Sequence, residues 1–199
     1  MISPLAVRDR LAPMLDPAPR VPWMPDTRPG AVLVPILSST PEPRLVFTRR
    51  SDSMSRHAGE ISFPGGLIEA GEEPAAAALR EAEEELGLAP AEVEVIGALD
   101  QVHTRVTGVL IVPFVGLLWA DPEFRPNDAE IAEVLEFSLP DLAAKSAMTE
   151  FVHEGRTFET HVFDMDGHVI WGATARILWS FVELLGPGRG TGSTGAVPA

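Results

Sequence analysis

Gly66, Glu72, Arg80, Glu81, Glu84, Glu85 and Gly87 all fall within residues 66–88 and form the pattern G-x5-E-x7-R-E-A-x-E-E-x-G-L. Four carboxylates and one guanidinium thus surround one predicted helix beside a glycine-rich turn. Such a cluster can hold divalent cations against a diphosphate, because hard cations take carboxylate oxygens. A helix advances about 100° per residue. With Glu81 at the origin, Glu84 falls near 300° and Glu85 near 40°, so the three share an arc of about 100°. Arg80 lies beside Glu84, and Glu83 points away. Leu79, Ala82 and Leu86 form an apolar stripe between them. Glutamate is also an ordinary helix-surface residue, and a solvated face is the competing explanation. Like charges three and four residues apart cost about 0.2–0.5 kcal/mol per pair, which Arg80 offsets in part and a bound Mg²⁺ or Mn²⁺ would offset fully.

The elements that must position this cluster can be read from periodicity and breakers. Val7, Leu11 and Leu15 recur at helical spacing, which predicts a short helix within residues 1–15. Pro17, Pro19, Pro22, Pro25 and Pro29 impose an extended connector. Strands are expected at residues 31–38 and 44–50, then a polar loop at 51–60 and a turn at Pro64-Gly65-Gly66. Pro74 near the start and Gly87 at the stop bracket a helix over 75–86. Further strands are expected at 92–99, at 106–119 (single or broken near Pro113), and at 133–139, followed by a short helix at 139–145. A hairpin over 149–153 and 156–164 and a turn at Asp166-Gly167 lead to a closing helix at 173–185. These divisions give an N-terminal helix and connector at 1–29, one domain at 30–185, and a glycine-rich tail at 186–199 with nothing to bury. Strands and helices mix without strict alternation, which favours an α/β sandwich around a mixed sheet.

At 199 residues and 45% hydrophobic, the chain can bury a core for one domain. Its net charge is −14 and its pI about 4.7, which disfavours nucleic-acid binding. A small anionic substrate remains compatible if metal ions bridge it to the protein. With no cysteine, a disulfide, a thiolate nucleophile and a cysteine zinc site are excluded. The N-terminus does not read as a signal peptide, and the apolar run 106–120 is short for a membrane span, so cytoplasm is the default.

Residues 66–88 resemble the Nudix box, the signature of hydrolases that act on a nucleoside diphosphate linked to another group. Every fixed position is met, with Ala82 where the family often has a larger aliphatic residue. The resemblance implies a Nudix fold and divalent-metal dependence on Mg²⁺ or Mn²⁺. It implies that Glu84 and Glu85 are the principal metal ligands, with Glu81 a further ligand or the acceptor of a water proton. Arg80 would orient the carboxylates, and Glu72 would brace the loop and join the metal shell. Gly66 and Gly87 would permit backbone geometry that a Cβ hinders.

The preceding segment resembles a narrower signature, that of coenzyme A diphosphatases, which runs L-L-T-x-R-S-x3-R-x3-G-x3-F-P-G-G. Thr48, Arg50, Ser51, Gly59 and Phe63-Pro64-Gly65-Gly66 match in register. Val46-Phe47 replaces the leucine pair, and Ser55 stands at the second arginine position with Arg56 one place later. Trp171-Gly172-Ala173-Thr174-Ala175 is also similar to this subfamily. Coenzyme A carries a 3′-phosphate besides its diphosphate, so local cations are expected; Arg49, Arg50, Arg56 and His57 are the candidates, beside Gly65 and Gly66. A general base from outside the box is expected, and Glu130, in a loop before a strand, is the first choice. The implied reaction is hydrolysis of coenzyme A to 3′,5′-ADP and 4′-phosphopantetheine. ADP-ribose or NADH is the second substrate class, and a non-catalytic nucleotide-binding regulator the third option. No membrane or nucleic-acid partner is expected. Segment 17–29 can cover the site, meet a homodimer partner, or do neither.

Overall fold

The computed structural model describes residues 4–21, 27–39, 42–54, 57–104, 108–153 and 155–186. Arg56, the middle of the proline-rich connector and the tail from residue 187 lie outside them. The chain opens with α1 (Pro4–Leu11), whose Val7 and Leu11 are fully buried, and a 3-10 turn at Ala12–Met14. Two strands follow, β1 (Arg28–Leu37) and β2 (Arg44–Arg50). In β1, Ala31, Leu33 and Leu37 face one core cluster, and Val34 and Ile36 face the other. A strand apolar on both faces needs cover on both, which makes β1 the centre of the sandwich.

Two short strands, β3 (Ile61–Ser62) and β4 (Gly65–Leu67), lead into α2 (Pro74–Leu86). The glycine pair, expected as a turn, is therefore strand: Gly65 pairs with Val32 and Gly66 with Ala31. Helix α2 has Pro at its start and ends at Gly87 in the left-handed region (φ 67°), whose N–H donates to the Glu83 carbonyl. Its Ala77, Ala78, Ala82 and Leu86 are fully buried against β1. Small alanines let the helix lie close to the sheet.

Next come β5 (Glu94–Ala98), β6 (Val102–His103) and β7 (Val109–Leu118). Strand β7 runs parallel to β1 and passes through Pro113 unbroken. Pro113 is tolerated because it falls between the β5 ladder, which reaches Phe114, and the β6 ladder, which begins at Ile111. No strand there needs its missing N–H. Pro35 sits in the matching gap of β1, between the β4 pairing at Val32 and the β2 pairing at Ile36.

β8 (Ile131–Ser138) pairs with β2 and is followed by α3 (Leu139–Ala144). A separate antiparallel sheet contains β9 (Ser146–His153), β10 (Arg156–Met165) and β11 (His168–Ile170). The expected hairpin is present; β11, too short for a periodicity signal, is its additional strand. Helix α4 (Gly172–Leu185) closes the fold. Among the described residues the main sheet has eight strands, ordered β3-β2-β1-β7-β5 with β4, β6 and β8 attached. It is mixed, with α2 on one face and α1, α3 and α4 on the other, as the sequence implies. No helix among the described residues is long and apolar enough to cross a membrane.

Candidate active site

The glycine pair and the start of β1 form the floor beneath α2. Successive strand residues point to opposite faces. A Cβ on Gly66 would lie 2.4 Å from the Glu81 carboxyl group, so only glycine leaves that carboxylate its place. The Gly65 N–H donates to Glu85 Oε2 at 3.3 Å. The loop after β7 closes the far end of the helix. Arg125 N–H donates to the Leu86 carbonyl and Asn127 N–H to the Glu85 carbonyl, satisfying two of the acceptors a helix end leaves open. This anchoring brings the 128–130 loop alongside the carboxylate face.

Arg80 organises four acceptors. Its Nε donates to Glu72 Oε1 at 2.8 Å and its Nη2 to Glu72 Oε2 at 3.2 Å, a two-pronged pair. Nη1 donates to Glu81 at 2.9 Å and reaches Glu84 at 3.3 Å, and Nη2 also reaches the Leu67 carbonyl. Glu72 additionally accepts the Glu69 N–H at 2.9 Å, tying the loop to itself. The Arg80 hydrogen bond, followed by the Glu69 N–H, holds the Glu72 carboxyl below its ordinary range. The same Glu72 bond raises Arg80 further above neutrality.

Glu81 and Glu85 have the opposite electrostatics. Burial pushes the Glu85 carboxyl up to about 7; the Gly65 N–H and the Arg50 charge oppose that, while Glu81 and Glu130 reinforce it. Glu81 is also raised, chiefly by burial, with the Arg80 bond pulling the other way. Glu85 is only 6% exposed, and its nearest cation, Arg50 Nη1, is 3.9 Å away. Arg50 Nε is itself buried with no hydrogen-bond partner. Four carboxylates thus face two guanidinium groups, Arg80 and Arg50, and the Arg50 Nε makes no hydrogen bond.

An oxygen-only donor set of this kind fits a hard divalent cation. Among the described residues no three acidic or histidine side chains are gathered tightly enough to enclose an ion. Arg80 occupies the space between Glu81 and Glu84 instead. Glu84, whose side chain is 60% exposed, is free to turn toward a cation.

The structure brings Glu72, Arg80, Glu81, Glu84, Glu85, Gly65, Gly66 and Arg50 together. Glu130 is half-buried nearby, close enough for its charge to act on Glu81 and Glu85; its carbonyl accepts the Ser51 N–H at 2.7 Å. Arg49 does not join them. It lies opposite Glu133 in the β2–β8 ladder and pairs with Glu133 at 3.3 Å and Asp52 at 3.4 Å. His57 lies at the rim, hydrogen-bonded through Nδ1 to Glu60 at 2.8 Å. Sequence reasoning missed the Gly65 and Asn127 N–H groups, since backbone donors have no residue-type signature. The open carbonyls at a helix end were the available clue for Asn127.

Glu130→Gln tests the loop carboxylate. We expect kcat to fall at least about tenfold with the fold retained, general bases typically contributing about 10²–10⁴-fold. A smaller fall in steady-state assays would remove Glu130 from the chemistry.

The NUDIX domain family model matches residues 27–155. An "Uncharacterized Nudix hydrolase NudL" of Photorhabdus laumondii is 34% identical over 161 residues, which covers 79% of this chain and 85% of that protein. One of the same designation from Escherichia coli K12 is 36% identical over 154 residues, or 76% of this chain and 79% of that protein. Among solved structures, a MutT/nudix family protein from Enterococcus faecalis superposes with a TM-score of 0.54 over 84% of this chain and 65% of that one. At 14% identity that likeness concerns the fold alone. With the box assembled as described, these matches establish that the chain belongs to the NUDIX domain family, as a Nudix hydrolase.

Proposed function

We propose that this hydrolase cleaves the diphosphate of coenzyme A, releasing 3′,5′-ADP and 4′-phosphopantetheine, with Mg²⁺ or Mn²⁺ as cofactor. The observation that carries the substrate reading is the convergence of the segment before the box on the carboxylates. Thr48 and Arg50 lie on β2, and Phe63 stacks on Phe47 with ring centroids 4.6 Å apart. That packing sets the path of Pro64-Gly65-Gly66 beneath Glu85. Arg50 approaches the same carboxylate from β2, and the Ser51 N–H holds the Glu130 loop. The residues that match the coenzyme A diphosphatase signature thus join box, base and cation into one unit.

Glu81, Glu84 and Glu85 would hold the cation, with Glu72 behind them. When bound, it would supply neutralisation of the diphosphate oxygens and a lowered pKa for the attacking water. Arg80 keeps the carboxylates aligned. Arg50, held only at 3.9 Å from Glu85, takes a phosphate oxygen. Glu130 accepts the proton of the attacking water.

The competing substrates are ADP-ribose and NADH, which share the diphosphate and lack the 3′-phosphate. We expect kcat/KM for coenzyme A to exceed that for dephospho-coenzyme A, ADP-ribose and NADH by about tenfold or more, or roughly 1.4 kcal/mol. Equal or higher values for any of the three would contradict the substrate reading while leaving the Nudix chemistry intact.

A further inference from the structure

A cavity of about 290 Å³ opens beside the carboxylates and shares Arg50, Gly65 and Gly66 with them. It lies on the α4 side of the sheet. A Cβ on Gly66 would meet Glu81, whereas one on Gly65 would meet the β1 backbone at the Ala31 carbonyl and Val32 Cα and then the Val32 side chain, which packs with the α4 cluster. A substrate lying across the glycine pair would therefore have its diphosphate at Glu81 and Glu85 and one arm in this cavity.

The lining shows which arm fits. Ile111, Ala173 and Ile177 present methyl groups, and Thr104 and Thr174 add hydroxyls. The Thr104 hydroxyl is engaged with Val109, accepting its N–H at 2.8 Å and donating to its carbonyl at 3.0 Å. A nucleobase would need a ring to stack on. Phe63 is 2% exposed, with its ring against Phe47, and His57 is held at the rim by Glu60. A 3′-phosphate would need cations. Among the described lining residues Arg50 is the sole arginine or lysine, and it stands at the mouth facing Glu85, while Glu60 adds negative charge. An uncharged chain with methyl groups and amides matches the described part of this wall.

We propose that this cavity, between the glycine pair and the first turn of α4, is the subsite for the uncharged pantetheine arm of the substrate. Ala173, Thr174 and Ile177 act as its specificity-determining residues, and the nucleotide half lies outside it. The inference rests on the coenzyme A reading above, and its test separates the two. Full-length protein is titrated with 4′-phosphopantetheine and, separately, with 3′,5′-ADP, with Ca²⁺ present to block turnover and amide resonances observed by NMR. Coenzyme A turnover is measured in parallel.

The first ligand is expected to shift the Ala173, Thr174 and Ile177 amides and the second to leave them in place. Thr174→Trp, or the milder Ala173→Leu, fills the cavity. Either should weaken 4′-phosphopantetheine binding and raise KM for coenzyme A by tenfold or more, with 3′,5′-ADP affinity unchanged. Shifts of these amides by 3′,5′-ADP, or by neither ligand, would overturn the subsite. So would filling variants that bind 4′-phosphopantetheine as tightly as the wild type. Absence of coenzyme A cleavage with the expected shifts present would overturn the substrate reading alone.

Discussion

Glu85→Gln is expected to lower turnover by about 10³-fold or more while raising the melting temperature of the metal-free protein. The two effects have one cause. Glu85 is buried under the sheet edge with a single backbone donor and a cation 3.9 Å away, so its charge is costly in the absence of a metal. The amide keeps an oxygen for the Gly65 N–H and removes the charge. Because the folded carboxyl is raised to about 7 from the ordinary 4.5, its ionisation destabilises the folded state. Below pH 4.5 both folded and unfolded carboxyls are protonated and the penalty is absent. It grows as pH rises from 4.5 to 7 and is full above that. On the order of 1–3 kcal/mol is at stake. For a chain of this size that is roughly 3–10 °C. Thermal melts at pH 8 and pH 5 should show the gain at pH 8 and a much smaller one at pH 5. A lower melting temperature at pH 8, or turnover within tenfold of wild type, would contradict the placement of Glu85 as a strained, metal-seeking carboxylate.

Two neighbouring glycines should fail in different ways. At Gly65 a Cβ would lie 2.4 Å from the Ala31 carbonyl oxygen and 2.6 Å from Val32 Cα, both backbone atoms of the central strand. Gly65→Ala must move β4 or β1, at a cost of about 2–4 kcal/mol, and activity falls with the fold. At Gly66 the obstacle is the Glu81 carboxyl group, the mobile end of a side chain. Gly66→Ala is expected to cost less than about 1 kcal/mol in stability, since Glu81 can swing aside toward solvent. It should nevertheless lower kcat by about 10²-fold or more, because Glu81 then leaves Arg80 and the other carboxylates. Denaturant melts and steady-state kinetics on both variants separate the cases. A Gly66→Ala protein with normal kcat would show that Glu81 need not occupy the position seen here.

The carboxylate face of α2 was legible because helical spacing and the box pattern point to the same residues. Helix-wheel reasoning placed Glu81, Glu84 and Glu85 on one arc but could not rank their burial. Glu85 borders the alanine face and is buried, whereas Glu84 faces solvent; that difference depends on the sheet beneath the helix. The central strand was legible from its unbroken apolar run. Pro113 and Pro35 do not interrupt their strands, because their ladder partners change over at those residues, which is a property of tertiary pairing. The same applies to Gly65-Gly66: a turn by local chemistry, a strand once β1 has an unpaired edge to accept it. Among the candidate cations, sequence reasoning favours Arg50 over its neighbour Arg49. Arg49 lies opposite Glu133 in the β2–β8 ladder, a register shift separates it from Arg50, and Arg50 reaches Glu85, so only the tertiary pairing of β2 decides which is which. The cavity at the start of α4 joins segments far apart in the chain, so no local pattern displays it.

Incubation of the purified protein with coenzyme A and Mg²⁺ or Mn²⁺, followed by mass spectrometry with Glu84→Gln as control, bears most directly on the central claim. The account predicts 3′,5′-ADP and 4′-phosphopantetheine from the wild type, no products when the metal is chelated, and loss of several orders of magnitude in the variant. Intact coenzyme A under both metals, or equal product from Glu84→Gln, would contradict it.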